Sequence, residues 1–132
     1  MFELMIETNF SAAHQLRGYK GQCEKLHGHN WKVQVYVLAE KLNEIELAMD
    51  FHELKRLTEE VLAPLDHGFL NDIFPFTEKN PSSENIAKWI YDSLKKKIKR
   101  FQCESFRHNG VGIRGCFRNI LRGMRYSDTS LI

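Results

Sequence analysis

The chain has 132 residues, enough for one domain with a buried core, and its 42% hydrophobic and 27% charged content is ordinary for a soluble globular protein. No apolar run approaches the roughly 20 residues of a membrane-spanning helix, and Met1-Phe2-Glu3-Leu4 lacks the basic and apolar regions of a signal peptide, so a cytoplasmic protein with no membrane partner is expected. The formal charge of +2 is uneven, with five arginines against Glu104 and Asp128 in residues 101 to 132; the odd cysteine count (Cys23, Cys103, Cys116) suits a reducing compartment, not a disulfide framework.

Residues 3 to 16 read as a strand, because Leu4, Ile6, Thr8 and Phe10 alternate with Glu3, Met5, Glu7 and Asn9. If the alternation persists, His14 shares the phase of Phe10. Residues 17 to 25 form a loop punctuated by Gly18 and Gly21. Residues 28 to 39 read as a second strand, with His29, Trp31, Val33, Val35 and Val37 on one face. An antiparallel pairing of the two strands would bring His14 beside His27 and His29. A helix is expected over 50 to 62, started by Asp50 with Glu53 as its capping-box partner. Its apolar stripe is Phe51, Leu54, Leu57, Val61 and Leu62, and Pro64 stops it. Residues 65 to 72 are turn-rich. A second helix runs from about Ser83 to Lys99, capped by Ser82 or Ser83, with Ile86, Ile90, Leu94 and Ile98 inward. Its lysines crowd the last turn, which the helix dipole favours, so the run reads as a solvated helix end, not a nucleic-acid patch. Residues 102 to 107 and 111 to 118 are candidate strands around the turn signal Asn109-Gly110. No internal repeat or linker is evident, and residues 1 to 132 read as a single domain.

The chemistry concentrates in Cys23-Glu24-Lys25-Leu26-His27-Gly28-His29. On a strand, His27 and His29 point to one face, and Gly28 leaves the backbone between them uncrowded. Imidazole suits zinc, copper, iron and nickel. With His14, three nitrogens would leave a fourth zinc position open, as in catalytic sites. Cys23 could close the site as a fourth ligand. Alternatively it is a free thiol near the metal, its pKa lowered by the positive charge and competent to accept a proton. Asp66-His67 can act as a base with its orienter where the turn lets the side chains meet.

Five ordered stretches carry a family resemblance. Phe10-Ser11-Ala12-Ala13-His14 and Cys23-Glu24-Lys25-Leu26-His27-Gly28-His29-Asn30 resemble the signature of the 6-pyruvoyltetrahydropterin synthase / 6-carboxytetrahydropterin synthase family. Met49-Asp50-Phe51-His52-Glu53-Leu54-Lys55, Leu65-Asp66-His67-Gly68-Phe69-Leu70-Asn71-Asp72 and Asn80-Pro81-Ser82-Ser83-Glu84-Asn85-Ile86-Ala87 are similar to further motifs of that family. The resemblance covers roughly residues 1 to 100. The spacing from Cys23 to His27 is similar to that of the bacterial, carboxy-forming branch.

The resemblance implies an α+β T-fold, β-β-α-α-β-β, a four-stranded antiparallel sheet with two helices on one face. It implies homo-oligomers, trimers or hexamers, with active sites between subunits, and 7,8-dihydroneopterin triphosphate as substrate. Zn2+ would be held by His14, His27 and His29. Cys23 would take a proton, and His67, oriented by Asp66, would relay one on the other side. Ser82, Ser83 and Glu84 fall where substrate would bind. The family's late-strand glutamate, which anchors the pterin, has no matching motif after Arg100, and Glu104 is the nearest candidate.

Overall fold

The computed structural model describes residues 1–20, 25–98 and 120–121. Two long strands dominate it, β1 (Phe2–His14) and β2 (His27–Ala39). They pair antiparallel in one unbroken register, from Phe2 opposite Ala39 to His14 opposite His27. The alternation expected from the sequence holds. Ile6, Phe10, Ala12 and His14 on β1, and Trp31, Val33, Val35 and Val37 on β2, are buried, while Glu3, Glu7 and Asn9 are exposed. The outer face is polar, with Glu7 bridging Lys32 at 3.3 Å and accepting from Gln34 at 2.7 Å.

Helix α1 (Phe51–Leu62) starts at Asp50, whose carboxylate accepts from the His52 N–H at 2.7 Å, one position short of the partner that a capping box would use. Phe51 is 54% exposed and does not belong to the buried stripe, which is carried by Leu54, Leu57, Val61 and Leu62. Thr58 is buried within that helix, its hydroxyl donating to the Leu54 carbonyl. Helix α2 (Ser83–Lys97) is capped by Ser82, which accepts from the Asn85 N–H at 3.3 Å. Both helices cover the same sheet face. Leu54, Leu57, Val61, Ile86, Ile90 and Leu94 join Phe10, Trp31, Val33 and Val35 in one core, with Phe10 and Trp31 stacked at 5.8 Å.

Between the helices the turn-rich segment holds a two-residue strand, β3 (Gly68–Phe69), and a tight turn over Leu70–Asp72. β3 pairs parallel to β1 at Ala12 and Ala13. β4 (Ile120–Leu121) pairs antiparallel with β2 at Val37 and Leu38, giving the order β3-β1-β2-β4. The fold is the expected α+β T-fold class, with a parallel edge at β3. The candidate strands over 102 to 107 and 111 to 118 lie outside the described residues. No helix among the described residues is long and apolar enough to cross a membrane.

Candidate metal centre

β1 and β2 end their pairing on two histidines, and the pleat does the rest. His14 faces the core because it is in phase with Phe10 and Ala12; His27 and His29 face the same way because they are in phase with Trp31. The three rings gather edge to face, with centroids 4.5 Å apart for His14 and His27, 5.1 Å for His14 and His29, and 4.6 Å for His27 and His29. One nitrogen from each lies within 4.8 Å of the others.

Hydrogen bonds from behind orient two of these rings. His14 Nδ1 lies 2.7 Å from the Pro81 carbonyl, and His27 Nδ1 lies 2.7 Å from the Lys25 carbonyl. A carbonyl can only accept, so each Nδ1 carries the proton and donates it. In the neutral rings each Nε2 then presents a lone pair, and the two Nε2 atoms face each other at 2.9 Å. Two such lone pairs repel unless a cation lies between them. Tetrahedral zinc at about 2.0–2.1 Å from each nitrogen would set them about 3.3 Å apart. The donor set therefore fits a transition-metal ion such as zinc, with ring orientation fixed from the far side as metal-binding histidines require. His14 is 5% exposed, so the centre is anchored in the core on one side.

Asp66 and His67 sit at the β1 edge, just before β3. The Asp66 Oδ1 accepts from the Ser11 N–H at 2.9 Å, and the His67 N–H donates to the Ser11 carbonyl at 2.6 Å. Asp66 Oδ2 lies 2.9 Å from His67 Nδ1. The side chains meet because His67 adopts a left-handed backbone, φ 56°, which costs a non-glycine residue on the order of 1 kcal/mol or more. The Ser11 N–H, and then His67, hold the Asp66 carboxyl below its ordinary range. His67 and His29 line one open cavity of about 530 Å³ with Ser11, Asn30 and Gly68. The sequence-predicted metal ligands and the Asp66–His67 pair thus share one end of the sheet.

Ser82 is engaged as the cap of α2, and Ser83 and Glu84 form that helix's first turn, directly after the Pro81 that contacts His14. Cys23 and Glu104 lie outside the described residues. Sequence reasoning did not single out Ser11, whose backbone clamps Asp66 and His67, nor the Pro81 carbonyl behind His14. A main-chain group leaves no trace in residue type, and only the strand register locates it.

The comparisons agree with this geometry. The family profile described as 6-pyruvoyl tetrahydropterin synthase matches residues 3–109. A relative from Archaeoglobus fulgidus is 45% identical over 92 residues, 70% of this chain and 75% of its own. A Synechocystis protein named 6-carboxy-5,6,7,8-tetrahydropterin synthase is 40% identical over 99 residues, covering 71% of this chain and 75% of its own. The solved structure of Caenorhabditis elegans 6-pyruvoyl tetrahydropterin synthase superposes with a TM-score of 0.66 at 29% identity, over 72% of this chain and 77% of that one. Profile, relatives and superposition converge with the histidine-bearing hairpin: the chain belongs to the 6-pyruvoyl tetrahydropterin synthase family.

Proposed function

We propose that the protein is a cytoplasmic, zinc-dependent 6-carboxy-5,6,7,8-tetrahydropterin synthase. It would convert 7,8-dihydroneopterin triphosphate and water to 6-carboxytetrahydropterin, acetaldehyde and triphosphate, a step toward queuosine. The observation that carries the reading is the gathering of His14, His27 and His29, with the Nε2 atoms of the first two 2.9 Å apart, at the end of the sheet where Ser11 holds the Asp66–His67 pair. The name of the Synechocystis relative supports the carboxy-forming outcome.

In this reading His14, His27 and His29 hold the metal. Bound zinc supplies Lewis acidity that makes a C–H beside a carbonyl easier to ionise. Cys23 accepts a proton from the substrate side chain. Asp66 keeps the His67 Nδ1 protonated and leaves its Nε2 to exchange a proton on the other side. Ser82, Ser83 and Glu84, at the start of α2, offer polar contacts to the substrate, and helix N–H groups there favour phosphate. Glu104 is the candidate hold on the pterin. The subunit works in a trimer or hexamer, with no nucleic acid or membrane partner.

The test is to incubate purified protein with dihydroneopterin triphosphate and assay acetaldehyde and the pterin product. Wild type should release both, and Cys23→Ala should lose turnover while keeping its zinc. Absence of product from zinc-loaded wild type would defeat the enzyme reading and leave a pterin- or metal-binding protein. Loss of zinc with the thiol would make Cys23 a fourth ligand. A second reading, the pyruvoyl-forming synthase, is favoured by the superposition on the Caenorhabditis elegans enzyme. It is recognised by triphosphate release without acetaldehyde.

A further inference from the structure

β1 leaves its partner strands after His14, yet the backbone groups of Gln15 and Arg17 find side-chain partners. The Asn71 carboxamide accepts from the Gln15 N–H at 2.9 Å and donates to the Gln15 carbonyl at 2.9 Å. Two residues on, the Asn80 carboxamide accepts from the Arg17 N–H at 2.8 Å and donates to the Arg17 carbonyl at 2.8 Å. Each amide reproduces the paired bonds that a neighbouring strand would make, at the two-residue spacing of a strand. Asn71 is only 9% exposed, so its bonds replace water that cannot reach it.

The second amide adjoins the metal centre. Asn80 precedes Pro81, whose carbonyl receives the His14 Nδ1 proton. The Asn80 carbonyl accepts from the Asn85 side chain at 2.9 Å, and Asn85 sits in the first turn of α2. The Arg17 guanidinium closes the same loop, donating to the Phe76 and Lys79 carbonyls at 2.6 and 2.9 Å. Asn80, the residue before Pro81, is therefore held from both directions, by the helix and by the chain leaving β1.

We propose that Asn80, seconded by Asn71, is a positioning residue for the metal ligand His14. It holds the Pro81 carbonyl on Nδ1 and so turns Nε2 toward the metal position. Removal of a hydrogen-bonding partner behind a metal ligand typically weakens metal binding about 10- to 100-fold.

The proposal rests on the reading of the three histidines as a metal site, and the test separates the two. Zn2+ affinity of the full chain is measured by competition with a chromophoric chelator, at a temperature where every variant is folded. Asn80→Ala leaves the Pro81 carbonyl in place and acts only through its position, so it should bind up to about 10-fold more weakly than wild type, the low end of that range. Asn80→Asp keeps the acceptor and loses the donor, and should fall between. Asn43→Ala is the control. Asn43 bridges the Ile45 and Leu47 N–H groups in a loop outside the centre, so its loss should leave zinc affinity unchanged. Imidazole nitrogen NMR of the zinc-free protein should find His14 protonated at Nδ1 in wild type and mixed in Asn80→Ala. Wild type that binds no zinc would defeat the metal reading itself. Wild type that binds, with Asn80→Ala binding equally well or Asn43→Ala losing as much, would overturn the positioning role alone. Should Asn80→Ala not fold, Asn80→Asp decides: unchanged affinity overturns the role.

Discussion

Asp66 uses its two oxygens on two different neighbours, the Ser11 N–H and the His67 ring. Both favour the charged form, so its folded pKa lies below the unfolded value of about 3.9. Such a group stabilises the fold above the unfolded pKa and ceases to do so as pH falls through the folded one. Asp66→Asn should therefore have a lower urea midpoint than wild type at pH 6, and the gap should close in acid below about pH 4. A gap constant from pH 6 to pH 3 would show that the charge does not contribute. Single residues were unevenly legible. His14 could be placed from its phase with Phe10 alone, 13 residues before the first of its partners. Asn71 and Asn80 could not, because a side chain that pairs with main chain obeys no periodicity.

At the level of elements, α1 begins where Asp50 can cap it, and its cap bond is solvent-exposed. Asp50→Ala should cost about 1 kcal/mol, read from urea denaturation, with the zinc content unchanged. The helices were legible because an amphipathic stripe repeats over three or four turns, and both begin at the cap residues the sequence offers. Phe51 fell outside its stripe because the first helical residue lies ahead of the packed face. β3 escaped for the opposite reason: two residues cannot display an alternation. Its pairing depends on Ser11 meeting Asp66 and His67, a contact across 55 positions of chain.

The whole molecule is held by one core, where strand and helix periodicities meet. Leu54 is fully buried at its centre. Leu54→Ala should destabilise the protein by about 3 kcal/mol, seen as a lower Tm; a change under about 1 kcal/mol would mean that the core collapses around the gap. This agreement of periods is why the two long strands and both helices are legible in the sequence, while the T-fold itself was implied by the family resemblance. The far end of the chain offered less. Its glycines and arginines alternate poorly, and the strand that pairs with β2, Ile120–Leu121, falls just beyond the second expected stretch.

The order Asn80-Pro81 also bears on how the protein ages. An asparagine deamidates when the next backbone nitrogen attacks its carboxamide, and proline has no N–H with which to do so. The Asn80 amide, one residue from the carbonyl behind His14, is thereby protected by its own neighbour. Asn109, followed by Gly110, has no such protection. After prolonged incubation at alkaline pH, peptide mass mapping should find deamidation at Asn109 while Asn80 is intact, so that the two amides age on different clocks set by the residue that follows each.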